Sequence, residues 1–253
     1  SLLIMIARYS RKELRDIWSE ENKYKIWLEV EIAAAQGMEK LGYIPKGVST
    51  IVKKKGKIKV DRIHNIEKKV KHDVIAFLTS ITEQAGIKAR YLHQGMTSSD
   101  ILDTSFNIQL AQSGKILLKD IDQIMNTLKR QAKKYKYTPC IGRSHGIHAE
   151  PITFGLKLAS YYEEFKRNKK RLIDAINEIS TCAISGAVGT FANINPKIES
   201  FVAKKLGLKI EPISSQIIPR DRHAFYFSVL GIIAGSIERV AIEIRHLQRT
   251  EVY

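Results

Sequence analysis

Cysteine is scarce in this sequence: Cys140 and Cys182 are the only two among 253 residues. Two cysteines form neither a disulfide framework nor a zinc-binding spacing, and they fit a reducing compartment. The sequence also lacks an uninterrupted apolar run long enough to span a bilayer. Its first residues show no basic segment and no apolar segment of signal-peptide length. We therefore expect a cytoplasmic protein that does not enter a membrane.

Proline and glycine are also few, with six and fifteen copies, which favours long helices over many turns. Apolar residues recur every three or four positions, as in amphipathic helices, over residues 22–41, 60–86, 113–137, 151–179 and 196–206. A further pattern from Leu230 to Leu247 is typical of a coiled-coil seam. It still runs at Tyr253, so we expect a long bundle helix and a natural protein that continues.

Acidic residues are few relative to basic ones, 26 against 42, which leaves a formal net charge of +16. Nucleic acid, a polyanionic small substrate and a basic surface without a partner would each explain this charge. Aromatic residues do not alternate with basic ones, as a stacking platform for nucleic acid requires. The densest lysine run, within residues 53–59, fits a solvated surface. We therefore expect no nucleic-acid partner.

The densest polar stretch is residues 142–151, which combine two histidines, a cation, a hydroxyl, a carboxylate and two glycines. Such a run sits badly in a core, because each buried polar group needs a partner. We place His145 and His148 on a tight loop, with Pro151 in the first turn of the next helix. The start of that helix would favour an anion. A polar helix cap with an incidental histidine explains the stretch equally well.

Other polar segments allow both a functional and a structural interpretation. Arg8-Tyr9-Ser10 could hold a phosphate, or simply lead into a helix. His72 beside Asp73 could be an acid/base or orienting pair, although a satisfied structural histidine is more common. Residues 97–100 could cap a helix and also hold an anion. The small-residue loop at 185–190 lacks the lysine and spacing of a P-loop.

Taken in order, these segments resemble the fumarase/aspartase superfamily of lyases, and within it the adenylosuccinate lyase family. The His-Gly-x-His-Ala-Glu-Pro run over residues 145–151 and the Arg8-Tyr9-Ser10 start point to this family rather than to argininosuccinate lyase or fumarase. The similarity extends over nearly the whole chain. Further matching segments are residues 71–74, 93–104, 185–190 and 220–223.

The resemblance implies an all-α fold, with a small helical N-terminal domain over residues 1–115 and part of a central long-helix bundle domain over residues 116–253. Members of the family are homotetramers, and each active site takes loops from three subunits. The resemblance also implies the β-elimination of fumarate from adenylosuccinate, giving AMP, and from succinyl-aminoimidazole carboxamide ribotide. It implies no cofactor and no metal.

Residue roles follow from the same resemblance. His145 would be the general acid, and His72 would contact the substrate and assist. Arg8 and Tyr9 would hold the nucleotide phosphate. Thr97 and Ser98 would bind a carboxylate of the succinyl group. Four further residues would line the substrate site: Lys71, Asp73, His93 and Gln216. His148 would be structural.

Two positions and one missing loop depart from the family pattern. Lys71 stands where arginine is usual, which keeps the charge and loses the forked geometry. Ser144 stands where threonine is usual. The Ser-Ser-x-Met-Pro-x-Lys loop that carries the catalytic base in the family does not occur in the 253 residues. We therefore expect this chain alone to have no lyase activity. Two other interpretations remain open: a superfamily lyase with a different substrate, and a helical scaffold or nucleic-acid-binding protein that has lost catalysis.

Overall fold

The computed structural model describes residues 6–252, without the side chain of Ala7. Within that range the chain is mainly helical, which confirms the all-α prediction. The helices are α1 Lys12–Ile17, α2 Glu20–Leu41, α3 Val48–Lys55, α4 Val60–Val70, α5 Asp73–Ala85, α6 Ser98–Lys134, α7 Phe154–Ile179, α8 Pro196–Leu206 and α9 Asp221–Leu247. The strands are β1 Pro139–Ser144, β2 Ile147–Thr153, β3 Thr181–Cys182 and β4 Lys209–Ile210. β1 and β2 pair antiparallel, and β3 and β4 pair parallel.

The described residues form two compact units. The first contains residues 6–113 and 179–220, and the second contains residues 114–178 and 221–252. The first division lies within α6, two residues before the predicted domain boundary, but the first unit also includes a later segment. The assignment of domains to residues 1–115 and 116–253 stays a prediction.

The core of the first unit forms around α2, whose two ends are well defined. Ser19 accepts a hydrogen bond from the Asn22 N–H at 3.2 Å, and Gly42 closes the helix in the left-handed conformation with φ 78°. On the buried face, the Tyr24 and Phe77 rings stack with centroids 5.9 Å apart. The Trp27 ring meets both edge-on. The predicted helix over residues 22–41 is confirmed.

The single helix predicted over residues 60–86 is wrong, because the chain breaks between α4 and α5. Lys71 closes α4 in the left-handed conformation with φ 56°, and His72 is extended and caps α5. The apolar stripe continues across this break, so periodicity alone did not reveal it. His72 is therefore a cap residue rather than one member of a helical stripe.

The second unit has its own core. Leu128 on α6 packs with Tyr161 and Phe165 on α7. A buried hydrogen bond of 2.8 Å joins the Asn168 amide on α7 to the Ser236 hydroxyl on α9. These contacts hold α6, α7 and α9 together as the helical part of this unit.

The polar stretch around His145 is a β-hairpin, not the predicted loop at a helix start. His145 and Gly146 form its two-residue turn, with φ 54° and 76°. Positive φ at both central residues is what a type I′ hairpin turn requires. Pro151 lies within β2 rather than in a helix. The cap of α7 is Thr153, whose hydroxyl accepts from the Leu156 N–H at 3.1 Å.

α9 leaves many large apolar side chains exposed: Phe225, Phe227, Ile232, Ile237, Ile242 and Ile244. It is 27 residues long, which confirms the long helix predicted from the seam. By length and composition alone α9 could also cross a membrane, which we did not expect from the sequence. Core helices of soluble proteins meet the same criterion.

Candidate active site

The N-terminus of α6 carries two of the predicted substrate-binding residues, Thr97 and Ser98. The Thr97 N–H donates to the Asp100 carboxylate at 3.0 Å, and the Asp100 N–H donates to the Thr97 carbonyl at 3.0 Å. The bond from the Thr97 N–H to the Asp100 carboxylate is the acidic half of a capping box, and together the two bonds fix the first turn of the helix. The partial positive charge of the helix N-terminus and the nearby hydroxyls then favour an anion here.

Asp100 also ties a second polar segment to this helix start. Its carboxylate is 2% exposed and accepts from the N–H groups of Ser185 at 3.2 Å and Gly186 at 3.1 Å. Burial raises the pKa of Asp100 to about 6, although its three backbone N–H donors favour the charged form. The 185–190 loop is thus a structural support of the helix start.

The same loop contacts the segment that carries Gln216. The Ser185 and Ser214 hydroxyls lie 2.6 Å apart. Gly189 has φ 78°, and a Cβ there would lie 2.3 Å from the Ser214 carbonyl oxygen, so only glycine allows this approach. The structure therefore brings the segments of Thr97 and Gln216 together within the first unit.

An ion pair fixes the far end of the Gln216 segment. The Arg220 guanidinium donates two hydrogen bonds of 3.0 Å to Asp103 on α6. The Ile218 N–H donates to the same carboxylate at 2.9 Å. Because Asp103 is 7% exposed, these three donors satisfy an otherwise costly buried charge.

His93 has an unusual backbone conformation and a buried partner. Its φ of 64° lies in the left-handed region, which costs a non-glycine residue roughly 1–3 kcal/mol. Glu31 on α2 accepts from the His93 backbone N–H at 3.0 Å and lies 2.7 Å from the ring Nδ1. Burial lowers the pKa of His93, but the hydrogen bond to Glu31 and the charges of Glu31 and Asp100 outweigh it. The net shift of the His93 pKa is upward.

Lys71, His72 and Asp73 occupy the junction of α4 and α5. The His72 Nδ1 accepts from the Ile75 N–H at 3.3 Å, so the neutral ring carries its proton on Nε2. Asp73 accepts from the Val74 N–H at 2.7 Å, and one of its oxygens lies 3.5 Å from the His72 Nδ1. The side-chain hydrogen bonds described for His72 and Asp73 stay within residues 72–75. His72 therefore caps α5 through Nδ1, and its Nε2–H stays available as a donor.

The other predicted residues are exposed. Arg8 and Tyr9 lie in a 3-10 turn, where the guanidinium stacks over the phenol ring at 4.7 Å and Tyr9 is 73% exposed. His145 is exposed at the hairpin tip in the second unit, whereas the other candidate residues belong to the first.

Sequence reasoning missed Glu31 and Asp103, which act across 62 and 117 residues. Glu31 left one signal: it lies four residues after Trp27 and three before Ala34, on the buried stripe of α2. Within residues 6–252, no three or more His, Cys, Asp or Glu side chains cluster as metal ligands would. What the arrangement offers is anion-binding donors and imidazoles, the groups needed to hold carboxylates or phosphate and to move a proton.

A family model described as "Lyase" matches residues 7–253. The chain therefore belongs to this lyase family. Curated relatives narrow the likeness to adenylosuccinate lyases. The adenylosuccinate lyase of Thermotoga maritima is 51% identical over 98% of this chain and 58% of its own length. That of Aquifex aeolicus is 50% identical over 98% of the chain and 57% of its own length. The chain thus spans a little under three fifths of the relatives that it matches.

Solved structures show the same fold. The fumarate lyase of Mesorhizobium sp. BNC1 superposes with a TM-score of 0.92 at 25% identity, over 98% of this chain and 60% of that one. The 3-carboxy-cis,cis-muconate lactonizing enzyme of Pseudomonas putida superposes with a TM-score of 0.89 at 26% identity, over 96% of this chain and 58% of that one.

Proposed function

We propose that the protein acts as an adenylosuccinate lyase. It eliminates fumarate from adenylosuccinate, giving AMP, and from succinyl-aminoimidazole carboxamide ribotide in purine biosynthesis. The observation that carries this proposal is about 50% identity to adenylosuccinate lyases over nearly the whole chain. The anion-binding start of α6 supports it, because both substrates carry succinyl carboxylates.

In this reaction a base removes a proton from the carbon next to one succinyl carboxylate. The carbon–nitrogen bond then breaks, and an acid protonates the leaving nitrogen. We assign the acid to His145, because an imidazole is a common proton donor in enzymes that work near neutral pH. Its place at an exposed hairpin tip leaves the ring accessible. We assign no base among the 253 residues.

Negative charge builds up on the succinyl carboxylate as the proton leaves. Thr97 and Ser98 at the α6 N-terminus are suited to stabilise that charge, because the helix dipole and the hydroxyls are already in place. The free Nε2–H of His72 can donate to the substrate. Arg8 and Tyr9 would hold the phosphate, with the other residues along the wall: Lys71, Asp73, His93 and Gln216.

We further propose a cytoplasmic homotetramer with shared active sites, without nucleic-acid or membrane partners. The exposed apolar residues of α9 support a shared helical interface, because such patches mark interaction surfaces. Polyanionic substrates account for part of the charge of +16, since a positive cleft steers anions.

The test is fumarate release from adenylosuccinate by the protein expressed from its complete gene. We expect His145→Ala to lower kcat roughly 10²–10⁴-fold, as for loss of a general acid. His148→Ala is the matched control, because His148 is exposed on the same hairpin and should leave kcat unchanged.

Other results would redirect the assignment. Nucleotide binding without fumarate release would indicate a related lyase with another substrate. Salt-dependent binding to random RNA, without nucleotide binding, would indicate a scaffold that has lost catalysis.

A further inference from the structure

Glu31 is a buried acid that the proposed chemistry does not use. It lies on α2 with 0% exposure, among buried apolar neighbours. An ionised carboxylate in such a place is costly unless it is paired and hydrogen-bonded. Both contacts described for its oxygens go to one residue, His93. The cost of burying the acid is therefore linked to the conformation of that histidine.

The two contacts act on different parts of His93. One carboxylate oxygen accepts the backbone N–H at 3.0 Å and holds the left-handed backbone. The other oxygen lies 2.7 Å from Nδ1 and holds the ring. An ionised carboxylate can only accept, so Nδ1 must carry the proton.

That arrangement determines what the opposite edge of the ring can do. The His93 side chain is 19% exposed, whereas Glu31 is fully covered. When neutral, the ring offers an Nε2 lone pair, and when protonated it offers an Nε2–H donor. Glu31 from α2 and Asp100 from α6 both favour the protonated ring.

We infer that Glu31 is a positioning residue: its carboxylate fixes the His93 imidazole with Nδ1–H inward and Nε2 directed to the anionic substrate. The substrate part of this inference rests on the proposed lyase function, and the fixed tautomer does not. The carboxylate–histidine pair is a recurrent device by which proteins set which ring nitrogen is available.

NMR of the His93 ring tests whether Glu31 fixes its tautomer. In the 253-residue chain with ¹⁵N-labelled histidine, His93 is assigned by its loss in His93→Gln. We expect Glu31→Gln to move the neutral proton from Nδ1 to Nε2, because the Gln amide can donate to Nδ1. We also expect the His93 ring of Glu31→Gln to titrate at lower pH than that of the wild type. An unchanged tautomer and titration in folded Glu31→Gln would overturn the inference.

Glu199→Gln is the matched control. Glu199 is 4% exposed and accepts a backbone N–H, from Ile184 at 2.8 Å, so its substitution perturbs a similar buried acid. It should leave the His93 signals as they are. Glu31→Asp keeps the carboxylate, so we expect it to keep the Nδ1–H tautomer of the wild type. Loss of that tautomer in folded Glu31→Asp would also overturn the inference.

Fumarate release by the protein from the complete gene tests whether Glu31 acts on the substrate through His93. We expect Glu31→Gln to lower kcat/KM roughly ten- to a hundred-fold, and Glu31→Asp to recover part of that loss. The double variant with His93→Gln should be no worse than His93→Gln alone, since Glu31 acts through His93. Independent, multiplying losses would overturn the positioning role. If the wild type released no fumarate, the proposed function would be refuted instead. The ring measurements would then still test whether Glu31 fixes the His93 tautomer.

Discussion

The ion pair between Asp103 and Arg220 should couple the Gln216 segment to α6 measurably. We propose a double-mutant cycle with Asp103→Asn and Arg220→Ala. The pair has two hydrogen bonds of 3.0 Å, each roughly 1.5–3 kcal/mol when fully buried. The Arg220 side chain is 50% exposed, so solvent screening reduces this contribution. We expect a coupling energy of about 1–2 kcal/mol.

The coupling can be measured by urea unfolding of the four proteins, followed by circular dichroism. The matched control is the Arg62–Glu83 pair, also a forked arrangement in the first unit, but with side chains 49% and 42% exposed. It should show weaker coupling, because water competes on both sides. Equal coupling in the two pairs would show that burial of Asp103 does not strengthen the interaction, and would refute the reasoning. In the complete protein, Arg220→Ala should raise KM more than it lowers kcat, because we propose Gln216 as a substrate-binding residue.

Three further perturbations have defined outcomes. Gly189→Ala should cost about 2–3 kcal/mol and lower the melting temperature, because its φ of 78° and the carbonyl at 2.3 Å both oppose a Cβ. Asn168→Ala should cost about 1–3 kcal/mol in urea unfolding, because it leaves a buried α9 hydroxyl without its donor at 2.8 Å. For Asp100 the folded pKa of about 6 lies above the ordinary value of 3.8, so its proton stabilises the fold at acidic pH. Relative to Asp100→Asn, the wild type should gain roughly 2 kcal/mol between pH 7 and pH 4, and a flat difference would contradict this.

Elements with explicit boundary residues could be predicted from the sequence. α2 is closed by the cap residue Gly42. α8 begins at Pro196 after the Asn195 cap and is closed by Gly207. Each of these residues acts locally, through its own φ or its own hydrogen bond, so the pattern contains the necessary information.

The hairpin and the α4–α5 break could not be predicted in the same way. Lys71 and His145 adopt positive φ without being glycine, and neither position carries a conventional turn signal. The polar character of residues 142–150 also hid the alternation that would have indicated strands. In both places the surrounding structure overrides local preference.

The candidate site likewise contains residues that the sequence predicts and residues that only the structure reveals. Thr97 and Ser98 follow from capping chemistry, and the resemblance to a lyase family identifies the histidines. The residues that hold the site in place, Glu31 and Asp103, do so over 62 and 117 positions. No local pattern relates positions that far apart, so only the folded structure reveals these partners.

α9 shows how the structure discriminates between two explanations of one apolar pattern. A membrane-spanning segment would avoid charge, which costs roughly 2.5–3.5 kcal/mol per group at the bilayer centre. α9 instead forms ion pairs with α7, between Arg239 and Glu164 and between Glu243 and Lys157. α7 itself is rich in lysine, arginine and glutamate, which argues against burial of the two helices together in a bilayer. Gly231 and Gly235 are exposed on α9, and a Cβ on either would meet nothing within 4 Å, which leaves room for close approach by another helix. The exposed apolar side chains are therefore better explained by burial against further helices, which supports the proposed tetramer.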